Sequence, residues 1–160
     1  MKHNPIGRVT LSQVDDHNRA AVLALDVHES QKDLVTGNDV SLAEAKPRPH
    51  YQPRAIYLDE QLVGFVLYSP MEPLAAPVHY QIFRFMVDAK SQGLGIGRRA
   101  LELVLAEVSA INTAMELRIN YVPENTVARS LYRSFGFTEI GLDQYGEMVA
   151  RIVIRNAEEK

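Results

Sequence analysis

Apolar positions with helical character open the chain. Ala20, Val22, Leu23, Leu25 and Val27 follow Asp15-Asp16, which are placed to cap a first helix. Ser41-Leu42-Ala43-Glu44 fits a capping box and predicts a second short helix. That helix must stop before Pro47-Arg48-Pro49, because proline clashes inside a helix and restricts the residue before it. Lys32 to Asp39 shows no clear period and reads as loop. After Pro53 the period changes to two. Ala55-Ile56-Tyr57-Leu58 and Leu62–Tyr68 flank Asp59-Glu60-Gln61, a β-hairpin pattern. Ser69 to Pro77 carries Pro70, Pro73 and Pro77 and reads as an exposed loop. His79 to Val87 is a third strand. Leu101, Val104, Leu105, Val108 and Ile111 then recur at helical spacing. Glu116 to Val122 is a strand, and Asn125 to Phe135 a helix stopped by Gly136. Thr138–Gly141 and Glu147–Ile154 form a last antiparallel pair around Gln144-Tyr145-Gly146.

This order predicts a mixed α/β (α+β) fold with one right-handed parallel crossover in its middle. The 160 residues are expected to form a single domain, 1–160, long enough to bury about 70% of its unfolded surface. Hydrophobic residues at 46% and charged residues at 23% are ordinary for a soluble domain. A net charge of −3 supplies no basic patch, so nucleic acid is not expected as a partner. With no cysteine, disulfides, thiolate metal sites and cysteine nucleophiles are excluded together. Met1-Lys2-His3-Asn4-Pro5 lacks the apolar core of a signal peptide, and the apolar runs are too short for a transmembrane helix, so a cytoplasmic chain without a membrane partner is expected. His28, His50 and His79 have no ligand spacing, and no metal is expected.

The chemistry concentrates in Val87-Asp88-Ala89-Lys90-Ser91-Gln92-Gly93-Leu94-Gly95-Ile96-Gly97-Arg98-Arg99-Ala100. A strand ends, three glycines alternate, and an amphipathic helix begins. Glycines permit close backbone approach, and a helix N-terminus presents unpaired amides at its positive dipole end. The combination suits phosphate, with Arg98 and Arg99 adding positive charge. A plain turn into a buried helix is the alternative. Gly95-Ile96-Gly97-Arg98-Arg99-Ala100 also matches a dinucleotide fingerprint, but that fingerprint belongs to the first turn of a doubly wound sheet and here follows an antiparallel meander. A Walker loop is excluded because no Gly-Lys-Ser/Thr follows.

Gln92-Gly93-Leu94-Gly95-Ile96-Gly97 resembles the Gln/Arg-x-x-Gly-x-Gly/Ala loop of the GNAT superfamily of acetyl-CoA-dependent N-acetyltransferases. The stretch from Asn125 through Ala128 and Tyr132 to Gly136-Phe137 resembles that family's Asn-x-x-Ala-x-x-x-Tyr-x-x-x-Gly-Phe pattern. The resemblance implies an acyl-CoA N-acyltransferase fold: a central, mostly antiparallel mixed sheet with helices on both faces. It also implies acetyl-CoA as cosubstrate. Phe85, Met86 and Val87 would then line the pantetheine arm, the backbone of Met86 and Val87 pairing with it like an added strand. The amides of Gln92, Gly93, Leu94, Gly95, Ile96, Gly97 and Arg98 would cradle the pyrophosphate. Asn125 and Ala128 would flank the cofactor arm, and Tyr132 would be the general acid for the departing thiolate. Asn125, Ala128 and Tyr132 are three and four apart and share a helix face, with Leu131 and Phe135 expected to turn to the core.

His50-Tyr51-Gln52-Pro53, the Asp59 hairpin with Val63-Gly64-Phe65, and Gly146-Glu147-Met148-Val149 further resemble bacterial spermine and spermidine acetyltransferases. A small primary amine, spermidine or spermine, is the acceptor this implies. That subgroup places an acidic residue on the strand before the loop, where this chain has Phe83. The base is therefore left among Glu29, Glu72 and Asp88, with Tyr80 or Tyr121 in a water chain. Other acceptors (a peptide N-terminus, a lysine, an amino acid, a drug), a non-catalytic acyl-CoA sensor and, more distantly, a dinucleotide-binding domain are the competing readings. A homodimer is the protein partner left open.

Overall fold

The computed structural model describes residues 7–32, 37–72 and 78–155. The first element is one the hydrophobic pattern did not predict. Strand β1 (Val9–Gln13) pairs antiparallel with β2 (Gln52–Leu58), from Val9 opposite Leu58 to Gln13 opposite Arg54. Helix α1 (Arg19–Ala24) starts four residues later than Asp15, because Asn18 occupies the cap position. Buried Asn18 accepts from the Asp15 amide at 2.8 Å and donates to the Gln13 carbonyl at 3.0 Å, closing a turn where a longer helix was expected. Leu25 and Val27 lie beyond the helix.

Helix α2 (Asn38–Ala45) ends before Pro47 as expected but begins earlier. Ser41 is buried within it, and its hydroxyl donates to the Gly37 carbonyl at 3.2 Å, so no capping box forms at Ser41. β2 joins β3 (Gln61–Pro70) through the predicted hairpin, with Asp59 at φ 54, a left-handed conformation that Asp tolerates. Ser69 and Pro70 belong to β3 rather than to a loop, proline being tolerated at a strand end. Pro73 and Pro77 lie outside the described residues. The remaining elements follow the predicted order: β4 (Val78–Val87), α3 (Ile96–Ser109), β5 (Ala114–Tyr121), α4 (Thr126–Ser134), β6 (Thr138–Leu142) and β7 (Met148–Val153).

The strands form one seven-stranded sheet in the order β1-β2-β3-β4-β5-β7-β6. β4 and β5 are the predicted parallel pair, joined through α3, while β5–β7 and β6–β7 are antiparallel. The parallel ladder runs from Val78 opposite Ala114 to Ile82 opposite Ile119, and β4 continues past it to Val87.

By contacts the chain divides into two compact units, Met1–Leu67 with Arg84–Val104, and Tyr68–Phe83 with Leu105–Lys160. In the first, Val22, Leu42, Ile56, Phe65, Leu101 and Val104 are buried. Asn38 on α2 donates to the Val22 carbonyl at 3.0 Å and reaches Met86 Sδ at 3.8 Å, and Glu44 pairs with Arg84 at 3.0 Å, so two polar contacts fix α2 against β4. In the second unit, Tyr68, Ile82, Val108, Leu117, Ile119 and Ala150 form the core. The other face of that part of the sheet is polar. Buried Glu116 meets Arg118 and, at 3.3 Å, Arg151, two guanidinium charges that compensate its desolvation, and the His79 ring lies 3.7 Å away.

Candidate active site

The expected site residues fall in two groups. The first lies where β4 ends and the chain passes through a 3-10 turn, Ala89–Ser91, into α3. Asp88 organises that turn. Its amide donates to the Val63 carbonyl at 2.7 Å, and its carboxylate accepts from the amides of Asp26 at 2.9 Å and Lys90 at 3.3 Å. The Ala89 amide donates to the Asp26 carbonyl at 2.7 Å. Gln92 adds a second anchor: its amide nitrogen donates to the Val87 carbonyl at 2.9 Å, and it exchanges hydrogen bonds with Gln31 at 3.0 and 3.1 Å. The stretch from Asp26 to Gln31 is thereby held onto the start of the loop.

Beyond Gln92 the loop is exposed. Gly93 and Gly95 take φ +81 and +84, where an L side chain is strained, yet a Cβ on either would meet nothing within 4 Å. These positions require glycine for backbone shape, and the space above them is open. Gly97 differs: it sits in the first turn of α3 and is not among the positive-φ glycines. Arg99 N donates to the Gly95 carbonyl at 3.3 Å, so the amides of Ile96, Gly97 and Arg98 precede the helical ladder. No acidic residue stands in that first turn, and Arg98 and Arg99 are exposed beside it. An anion fits this end of the helix on charge and donors alike.

Of the strand residues, Met86 is buried while Phe85 and Val87 are half-buried. The Val87 carbonyl, expected to pair with a pantetheine arm, already accepts from Gln92 and so has one of its two lone pairs engaged.

The second group lies on α4. Asn125 is its N-cap, with Oδ1 accepting from the Ala128 amide at 3.1 Å. Ala128 is half-buried. Tyr132 is the buried residue of the helix, 6% exposed, with ring centroids 5.5 Å from Tyr121 and 5.8 Å from Phe137. Here the structure corrects the sequence reading: Leu131 and Phe135 are only half-buried, and Tyr132 takes the core position, because Tyr121 and Phe137 offer it an aromatic slot. Burial, and secondarily the neighbouring Tyr121, push the Tyr132 phenol above its ordinary value, so it stays protonated through the neutral range. The Tyr121 hydroxyl donates to Glu139 Oε2, which also accepts from Arg129 Nε at 2.8 Å, while Arg133 lies 3.9 Å from Oε1. Burial raises the Tyr121 phenol, and the Tyr121 hydrogen bond is the largest cause holding the Glu139 carboxyl low.

The profile of the acetyltransferase (GNAT) family matches residues 36–137, which take in both groups. The chain belongs to the GNAT family. It is an acetyl-CoA-dependent N-acetyltransferase. The spermine/spermidine N(1)-acetyltransferase of Bacillus subtilis is 30% identical over 145 residues, 88% of this chain and 95% of that protein. The N-alpha-acetyltransferase RimI of Mycobacterium tuberculosis is 31% identical over 117 residues, 71% and 72% of the two chains. In structure, the ribosomal-protein-S18-alanine N-acetyltransferase of Escherichia coli superposes with a TM-score of 0.74 at 18% identity, over 95% of this chain and 97% of that one, a likeness of fold. The mixed sheet with its parallel β4–β5 pair is the GNAT arrangement the motifs implied.

The base candidates of this GNAT chain are placed unequally. The Asp88 carboxylate is committed to backbone amides. Glu29 is 90% exposed and pairs with Lys32 at 3.4 Å, and Glu72 is exposed. Tyr80 is buried, 6.3 Å from Tyr68, and burial raises its phenol. Phe83 on β4 is half-buried. A pocket of about 290 Å³ in the first unit, lined among others by Asp16, Arg19, Leu42 and Lys46, contains none of the expected residues. Gln31, Arg129 and Glu139 were missed from sequence. For Arg129 a signal existed, since it stands three residues before Tyr132 and on a neighbouring helix position. For Gln31 and Glu139 nothing local marks the contact.

Proposed function

We propose that this GNAT enzyme acetylates a primary amine of a polyamine, spermidine or spermine, with Tyr132 as general acid. The observation that carries the substrate is the 30% identity to the spermine/spermidine N(1)-acetyltransferase across 95% of that protein. The pyrophosphate of acetyl-CoA lies on the amides from Gln92 to Arg98, supported by the open space over Gly93 and Gly95 and by the acid-free start of α3. Asn125 meets the cofactor arm through Nδ2, its Oδ1 being the helix cap.

An alkylamine of pKa about 10.4 is neutral in only about one part in a few thousand at pH 7. The neutral nitrogen attacks the thioester carbonyl, the Val87 amide stabilises the oxyanion, and the C–S bond breaks as the thiolate takes the Tyr132 proton. A phenol kept protonated by burial is suited to that last step. The amine's own proton leaves through water, a route favoured by the prior commitment of Asp88 to backbone amides.

A second reading is a peptide N-terminus as acceptor, favoured by the 31% identity to RimI. The test is a panel of spermidine, spermine, amino acids, a lysine peptide and an alanine-initiated peptide with acetyl-CoA, following thiol release. The polyamines are expected to turn over fastest, with capture weakening as salt screens their charge. Faster turnover of either peptide removes the polyamine claim. Tyr132→Phe is expected to slow single-turnover transfer by about 10²–10⁴-fold with little change in acetyl-CoA affinity, and an unchanged rate removes the general-acid role.

A further inference from the structure

Tyr132 does not stand alone in its slot. Its ring rests on Tyr121, at the end of β5, with centroids 5.5 Å apart. The Tyr121 hydroxyl is tied to Glu139 on β6, and the same carboxylate oxygen accepts from Arg129, which α4 carries three residues before Tyr132. Arg133, the next residue after Tyr132, is 3.9 Å from the other Glu139 oxygen. One carboxylate therefore holds both the ring beneath Tyr132 and the helix that carries it. Glu139 has 27% side-chain exposure and Arg129 31%, so the bonds are partly shielded from water, unlike the exposed Asp26–Lys32 and Glu29–Lys32 pairs.

We propose that Glu139, with Tyr121 and Arg129, is a positioning network that aims the Tyr132 hydroxyl. This rests on the reading of Tyr132 as general acid. Tyr121 donates its hydroxyl proton to Glu139, so its orientation is fixed and that proton is not offered elsewhere. Arg129 fixes the rotation of α4 from the same point. A general acid misplaced by about 1 Å can lose about 10²-fold in rate, whereas the pyrophosphate contacts proposed for the Gln92–Arg98 amides belong to a different element. The network therefore acts on the rate of transfer and not on acetyl-CoA affinity.

The experiment is a double-mutant cycle read by single-turnover acetyl transfer from acetyl-CoA to the fastest amine of the panel. The variants are Tyr121→Phe, Tyr132→Phe and both together, each checked for folding by thermal melting. Tyr121→Phe keeps the ring and removes the hydroxyl, with its contacts to Glu139 and Arg129. It is expected to slow transfer about tenfold with an unchanged KM for acetyl-CoA, and to have no further effect in the Tyr132→Phe background. Glu139→Gln, which keeps an acceptor oxygen, should retain more activity than Glu139→Ala, and this pair carries the test if Tyr121→Phe does not fold. An unchanged rate in Tyr121→Phe, or the same slowing with and without Tyr132, overturns the network while leaving the acid role standing. A wild-type rate in Tyr132→Phe alone overturns the acid role itself and the network with it.

Discussion

Gly95 and Gly97 of the loop motif should respond differently to alanine, although a sequence pattern treats them alike. Gly95 takes φ +84 and faces open space, so Gly95→Ala introduces no clash, only backbone strain of about 1–2 kcal/mol. That strain has two outlets. If the loop holds its shape, the apo protein loses stability, and at about 2–4 °C per kcal/mol for a chain of this size the melting temperature falls by about 2–8 °C. If the loop relaxes to negative φ, apo stability is kept, but the amides turn away and acetyl-CoA binding weakens about 5–30-fold. Gly97 lies in the first turn of α3, where alanine is the better helix former by about 0.5–1 kcal/mol, so Gly97→Ala should preserve both quantities. The assay is thermal melting of wild type and both variants with and without saturating acetyl-CoA, since a ligand that binds only the folded state raises the midpoint. A Gly95→Ala protein with wild-type apo midpoint and wild-type acetyl-CoA shift would refute the argument, as would a loss in Gly97→Ala matching that in Gly95→Ala.

Gln92→Ala removes the bonds to Val87 and Gln31, each worth about 0.5–1.5 kcal/mol, and should lower the melting temperature by several degrees, which thermal melting reads directly. Gly64→Ala would place a Cβ 2.6 Å from the Met86 carbonyl oxygen and 3.0 Å from Ile56 Cδ1, so overpacking of about 1–3 kcal/mol should appear as a lower urea midpoint. Asp143 is held below its ordinary value of 3.8, chiefly by the Glu147 amide and also by the Tyr145 amide and Asn120. Its folded pKa lies below the unfolded one, so its contribution is fully present above the unfolded value and is lost as pH falls through the folded value. Melting followed across that acidic range should show a shallower loss in Asp143→Asn than in wild type.

The predicted hairpin around Asp59 was legible because its period of two is written in residues adjacent in sequence, and α3 because Leu101, Val104 and Val108 are spaced for one buried stripe. β1 was not, since Val9 to Gln13 is a short alternation whose identity as a strand comes from β2, more than forty positions along the chain, through a pairing that ends at Gln13 opposite Arg54. Ser41 has a cap's composition but lies inside α2, where its hydroxyl bonds back to Gly37 instead.

The candidate site divides along the same line. Gly93 and Gly95 are legible because their chemistry is their own backbone conformation, which a motif records directly. The environment of Tyr132 is not. Helical arithmetic says which residues share a face with Tyr132, but not which face meets the sheet; that is decided by Tyr121 at the end of β5 and Phe137 just before β6, two residues whose proximity depends on β7 entering the sheet between those strands. The same insertion places Glu139 opposite Ala150 and within reach of Arg129. A side chain's identity can be read one position at a time, whereas the groups that orient it and shift its proton affinity arrive by strand order, and strand order is where a single sequence carries the least information.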